Sequence, residues 1–249
     1  MTSGGGASTP GNGPSTVGES TSGAEPPLIE DGPGEGLPLT VYLAGCRVLV
    51  VGAGPVAARK VRRLDAVGAE VTVVAPEAVA ELSEAARRGR LTWHRRPFES
   101  TDVEGAALIL AATASSEVND RVAEAAAAQS TLCVRADGAR HGTASFAAAV
   151  RRGPLTIAVS TDGAAPALAR RVREELAERY DEPYGQLAAL LGSLRRDEAV
   201  RAALAGQDEG ERAARWRRAA SPDILAMIRA GHLQRAKEVA RTCLLSSSD

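Results

Sequence analysis

The sequence predicts an α/β protein: a parallel sheet with helices on both faces first, a short strand element second, a helical region last. Three observations carry that expectation. Between residues 47 and 136, short continuous apolar runs alternate with stretches of helical spacing, the pattern of strands buried on both faces by crossover helices. A glycine turn, Gly52-Ala53-Gly54, directly follows the first run. After Asp137 the alternation stops, and from Ala164 to about Leu245 the chain is almost all helix-forming.

The elements follow in order. Arg47-Val48-Leu49-Val50-Val51 is the first buried strand, and Gly52 ends it. Pro55 to Val67 has helical spacing, with Val56, Lys60 and Leu64 on one face, and Gly68 stops it. Val71 to Val74 is the second strand, halted by Pro76. Glu77 to Arg88 reads as a helix, Leu91 to Arg95 and Ala107 to Ala112 as strands, Glu117 to Ala128 as a helix and Thr131 to Ala136 as a strand. Thr143 to Val150 and Leu155 to Ser160 are expected to pair around Arg152-Gly153-Pro154. In the helical remainder, breaks are expected at Pro183, Gly192, Gly206, Pro222 and Gly231. Residues 1–36 hold ten of the 25 glycines and five of the 13 prolines, with no Lys or Arg. Such a stretch cannot bury enough apolar surface to offset chain entropy, so a disordered tail is expected there.

Composition removes several classes of function. The 249 residues carry a formal net charge of −1 and only 3% aromatics. That gives neither the basic footprint of a nucleic-acid binder nor stacking platforms for single strands. No apolar run approaches the roughly 20 residues that span a bilayer, and the first residues do not read as a secretory signal. Cys46, Cys133 and Cys243 are too few and too scattered for a disulfide framework or a metal site. A reduced, cytoplasmic protein without nucleic-acid or membrane partners is expected.

Gly52-Ala53-Gly54-Pro55-Val56-Ala57 fits G-x-G-x-x-G/A between strand and helix. The first glycine permits the tight turn, the second lets a pyrophosphate approach the backbone, and the small third residue lets the helix pack on the sheet. The helix start adds free N–H groups for phosphate. In this strand–turn–helix context the motif points to a dinucleotide. The acidic residue that usually ends the second strand is missing: that strand closes on Val74-Ala75-Pro76, with Glu77 late, either a substitute or a helix-start charge. Arg95 and Arg96 lie too far along to be a standard clamp for a 2′-phosphate.

Several segments in order resemble one family. They are Val51 to Lys60, Val67 to Pro76, Arg95-Arg96-Pro97-Phe98, Leu108 to Thr113 with Asn119 after it, Cys133 to Asp137, Arg152 to Thr161, and Ala165 to Glu174. Together they are similar to precorrin-2 dehydrogenase, the N-terminal part of siroheme synthase, over residues 38 to 180. The resemblance implies a Rossmann-type domain over 37–142, a strand-containing dimerisation element over 143–177 and a helical C-terminal region over 178–249. It implies a homodimer that oxidises precorrin-2 to sirohydrochlorin with NAD, in siroheme biosynthesis. Some members also insert ferrous iron. It adds Ala75, Pro76 and Thr113 to the cofactor-binding residues and makes Asp137 the catalytic carboxylate. The family commonly has Asn-Val-Val-Asp at this strand end, where this chain has Val134-Arg135-Ala136-Asp137.

The chemistry needs a hydride acceptor, a base and cationic groups for the substrate's carboxylates. Asp137 falls at the C-terminal edge of a parallel strand, where open α/β sheets bind ligands. With the resemblance it is expected to be catalytic, and it can act as a general base if its pKa is raised towards working pH; by residue type alone a turn or capping aspartate beside Gly138 would be favoured. Arg135 either binds substrate carboxylates bidentately or pairs with Asp137 and lowers its pKa. His141 is a second acid/base candidate or a solvated loop histidine. Thr161 and Asp162 are expected to cap the next helix, with Thr161 also bordering the substrate cleft. Arg170 is part of a basic rim or of a solvated face. A non-catalytic dinucleotide-sensing module would need only the glycine loop and would leave Cys133 to Glu174 unexplained.

Overall fold

The structure is a computed structural model that describes Met1, residues 36–138 and residues 142–246. Nearly all of the expected tail, and His141, lie outside the described residues.

Five parallel strands form the sheet: β1 (Arg47–Val51), β2 (Glu70–Val74), β3 (Thr92–His94), β4 (Leu108–Ala111) and β5 (Leu132–Arg135), in the order β3-β2-β1-β4-β5. The alternation of β1 explains its central place. Val48 and Val50 pack with α1 (Pro55–Asp65) and α2 (Ala80–Arg87) on one face, while Leu49 and Val51 pack with α3 (Ser116–Ala128) on the other. Strands buried on both faces need continuous apolar runs, which the sequence supplies. The strand order reverses between β1 and β4, and the loops after these two strands part to leave a crevice.

The structure corrects several boundaries. α2 starts at Ala80, three residues later than expected, because Val79 N donates to Ala53 O at 3.0 Å and keeps the chain extended beside the glycine turn. The strand expected from Thr143 begins only at Ala148. Thr143 N and Ala144 N both donate instead to Cys133 O, at 2.9 and 3.1 Å, and Cys133 N donates to the Thr143 hydroxyl at 2.9 Å. Gly142 makes this possible, since a β-carbon there would stand 2.5 Å from Cys133 O. The chain after Asp137 thus returns to the strand it left, and only then forms the antiparallel hairpin of β6 (Ala148–Arg152) and β7 (Leu155–Val159).

Six helices follow: α4 (Pro166–Arg179), α5 (Glu182–Leu194), α6 (Glu198–Leu204), α7 (Glu209–Ala219), α8 (Pro222–Arg229) and α9 (Leu233–Leu245). Gly192 does not break α5; the break falls after Leu194, where Asp197 caps α6 by accepting from Val200 N. Pro183 and Pro222 sit in first turns, where a missing N–H costs nothing. α4 is not capped by a side chain of Thr161 or Asp162 at the N-cap position. Its N-cap is Ala165, whose N–H reaches back to the Thr161 hydroxyl at 3.2 Å, while Asp162 sits at φ +47°. Leu187, Leu190, Leu194, Ile224, Ile228 and Leu244 form the separate core of these helices. α5 meets the hairpin through Gly185, where a β-carbon would come within 2.5 Å of Arg152 O. Among the described residues no helix is long and apolar enough to cross a membrane.

Candidate active site

The loops after β1, β2 and β4 enclose a cleft of about 520 Å³, lined by Gly52, Ala53, Gly54, Ala75, Pro76 and Thr113 among others. All six belong to the set expected from the sequence. Gly52 adopts φ +100°, and a β-carbon there would lie 2.5 Å from Ala112 O, so both conformation and space require glycine. Gly54 differs. No atom lies within 4 Å of its β-carbon position, and it has no side chain to cap α1. With Pro55 at the first helical position, the N–H groups of Val56 and Ala57 have no partner inside the helix. Open space and free donors at a helix start are what a dinucleotide diphosphate fits. Pro55, Val56 and Ala57 do not themselves line the cleft: Val56 is exposed and Ala57 is buried against the sheet.

At the far side of the cleft the sequence reading missed two residues, Pro97 and Phe98, and underrated one, Glu77. Pro97 and Phe98 lie after β3, which pairs with β2; that adjacency is the signal for them. The same pairing sets His94 opposite Val74 and brings Arg95 beside Pro76, whose carbonyl accepts from Arg95 Nε at 3.3 Å. Arg95 is therefore near the end of β2, though distant in sequence, whereas Arg96 is taken up by Asp102 at 2.5 and 2.9 Å. Glu77, just past the end of β2, also lines the cleft.

Thr113 connects the cleft to the expected catalytic carboxylate. Its N–H and hydroxyl both donate to Asn119 Oδ1, at 3.1 and 2.8 Å, and Asn119 Nδ2 donates to Asp137 Oδ2 at 3.0 Å. Asn119 is fully buried, and no site role was assigned to it from the sequence. Arg135 forks onto Asp137, with Nε to Oδ1 at 3.0 Å and Nη2 to Oδ2 at 2.8 Å. Its third edge, Nη1, binds Asp120 on α3. Of the two readings open for Arg135, this geometry is the pairing one.

Of the two directions open for Asp137, the structure gives the downward one. The Arg135 fork holds its carboxyl well below the usual carboxylate range, with a further bond from Asn119, and outweighs the opposing effect of burial. The same fork raises the Arg135 guanidinium. Burial pushes the nearby Cys133 thiol up. Thr161 and Arg170 do not line the cleft. Among the described residues, no group of three or more His, Cys, Asp or Glu side chains is placed to hold a metal ion.

One cation on the opposite helix face is perturbed. Lys60 Nζ lies 4.2 Å above the ring of Phe146, in the segment that returns after Asp137. Burial, then the charges of Arg63 and Arg59, bring its pKa from 10.5 to about 8. The folded protein thus releases this proton earlier than the unfolded chain, and the penalty for a charged Lys60 fades between about pH 8 and 10.5. The Lys60→Met variant is expected to gain thermal stability over the parent at pH 7 and to lose that advantage by pH 10.5. A difference in melting temperature that does not vary with pH would refute this.

Comparison with known proteins agrees with this architecture. A family model described as NAD(P)-binding matches residues 39–148, and one described as sirohaem biosynthesis protein central matches residues 152–179. A siroheme synthase of Nitrosococcus oceani is 39% identical over 151 residues, which is 61% of this chain and 32% of that one. Siroheme synthase 3 of Aeromonas hydrophila subsp. hydrophila is 38% identical over 189 residues, 76% of this chain and 40% of that one. This chain therefore spans well under half the length of these relatives. Among solved structures, SirC, precorrin-2 dehydrogenase, superposes with a TM-score of 0.61 at 27% identity, covering 83% of this chain and 98% of that one. The chain thus carries, in order, segments that match the NAD(P)-binding and sirohaem biosynthesis central models, and over them it is similar to siroheme synthases and to a precorrin-2 dehydrogenase.

Proposed function

We propose that the protein oxidises precorrin-2 to sirohydrochlorin, passing a hydride to NAD and releasing a proton. The observation that carries this reading is the continuous path from the dinucleotide cleft through Thr113 and Asn119 to Asp137. Bound NAD supplies the hydride acceptor. The glycine turn and the start of α1 would hold its diphosphate, and Glu77, which lines the same cleft, would take the ribose hydroxyls. Asp137, kept ionised by Arg135, is in its proton-accepting form before substrate arrives. Loss of hydride leaves positive charge on the macrocycle, which makes the departing proton acidic enough for a weak base. The negative carboxylate also stabilises that charge as it develops. A dinucleotide sensor would use the same glycine turn, but the array around Asp137 would then have no task.

The test is anaerobic turnover of precorrin-2 with NAD or NADP, with and without ferrous iron. NADH formation is expected. Its absence with folded, NAD-binding protein would remove the reading. Iron insertion is examined in the same assay, with Asp137 as the group to accept pyrrole protons. The three cysteines are free, which suits a reducing compartment such as the cytoplasm.

The hairpin supports a homodimer, with 143–177 as the joining element and 178–249 as a helical region beside it. β6 and β7 pair only with each other among the described residues, so both outer edges of the hairpin are open, and open edges seek pairing. Sedimentation is expected to give a dimer; a stable monomer at micromolar concentration would dismiss this arrangement.

A further inference from the structure

We infer that Asp120 is a positioning residue for Asp137 and acts through Arg135, whose guanidinium it shares. The inference rests on the reading of Asp137 given above. Arg135 has a side chain only 5% exposed, and it spends all three of its edges on two carboxylates. Asp120 and Asn119 are neighbours on α3. One takes the outer edge of Arg135, and the other holds the carboxylate that the inner edge grips. A single helix turn thereby fixes both members of the Arg135–Asp137 pair.

The electrostatics give Asp120 its task. With Asp137 alone, the full positive charge of a buried guanidinium would face one carboxylate, and that carboxylate would be a very poor proton acceptor. A second carboxylate on the outer edge divides the charge, and the three groups together carry a net charge of −1. Asp120 is itself 56% exposed, and a pair between two such exposed groups would contribute little. Here the shared partner is buried, so the effect is transmitted inward through Arg135 and little is screened by water. Among the described residues the Cys133 thiol also lies nearby, and burial raises its pKa, so it stays neutral at ordinary pH.

The experiment compares Asp120→Asn and Asp120→Glu with the parent. Asn keeps the shape and an acceptor for Arg135 Nη1 but removes the charge, so the guanidinium settles more firmly on Asp137. NMR of the cofactor-free protein is expected to show slower exchange of the Arg135 Nε proton with water in Asp120→Asn. Turnover is expected to fall measurably, by less than the roughly 10²–10⁴-fold lost on removing a general base outright, with the KM for NAD unchanged. Glu, which restores the charge, is expected to recover both readouts. Unchanged or faster exchange in Asp120→Asn overturns the inference whatever the enzyme does. Slower exchange with unchanged turnover overturns the positioning role. Failure of the underlying reading shows elsewhere, as full activity of an Asp137→Asn protein, and leaves the exchange result standing.

Discussion

Asp137→Asn is expected to lower NAD-dependent turnover by about 10²–10⁴-fold, the usual loss on removing a general base, while NAD affinity stays within a few-fold of the parent. The affinity is spared because Asp137 is not among the residues lining the cofactor cleft. The substitution is not silent structurally. Each oxygen of Asp137 accepts from donors, Oδ1 from Arg135 and Oδ2 from Arg135 and Asn119. An asparagine must present its NH₂ to one of those donors. One buried donor then goes unpartnered, which costs about 2 kcal/mol, softened because Arg135 keeps Asp120. The melting temperature should therefore drop modestly at neutral pH. The deficit should shrink in acid. A carboxylate whose folded pKa is depressed contributes stability that is present above its unfolded pKa, near 3.8, and lost as pH falls toward the folded value. A calorimetric binding curve, a melt and a single-turnover rate separate these effects. A folded Asp137→Asn protein that turns over at the parent rate would remove the catalytic assignment.

Gly54→Asp is expected to weaken NAD binding by at least about 100-fold and leave the fold intact. Like charges brought together in a binding site cost several kcal/mol, and each 1.4 kcal/mol is about tenfold in affinity. The backbone at Gly54 has φ −80°, which any residue adopts, and its β-carbon position is open. Aspartate is also a favoured N-cap, and α1 has no side-chain cap of its own. Thermal stability should thus be unchanged or slightly raised as binding disappears. Calorimetry with NAD alongside a melt gives both numbers, and near-parent affinity in the folded variant would show that the diphosphate does not lie there.

Much of the sheet was legible because β1 and β4 are apolar on both faces and can be little else. The glycine turn was legible because its chemistry is local. What the sequence could not show depends on register between distant segments. Arg95 looks remote from β2 until the parallel pairing sets His94 opposite Val74. Arg135 and Asp120 are separated by more than two turns of α3, a loop and the length of β5, and nothing local announces that they meet. The direction in which the pKa of Asp137 moves was open in the sequence, because Arg135 could serve the substrate or pair with Asp137; only the folded geometry, with its fork, decides for the pair. Gly192 was taken as a break because glycine is a poor helix former, yet α5 continues through it to bury Leu194 in the helical core.

The return of the chain to β5 after Asp137 has an evolutionary consequence. Residues 142–144 are clamped to Cys133, so whatever lies between Asp137 and Gly142 is bracketed at both ends by the same strand. Insertions or deletions there need not move the carboxylate on one side or the hairpin on the other. The entropic penalty for a longer stretch is small, about 0.6 kcal/mol for each doubling. The chain can therefore change in length between Asp137 and Gly142 while the clamp on Cys133 stays in place, so what borders Asp137 can vary without refolding the sheet.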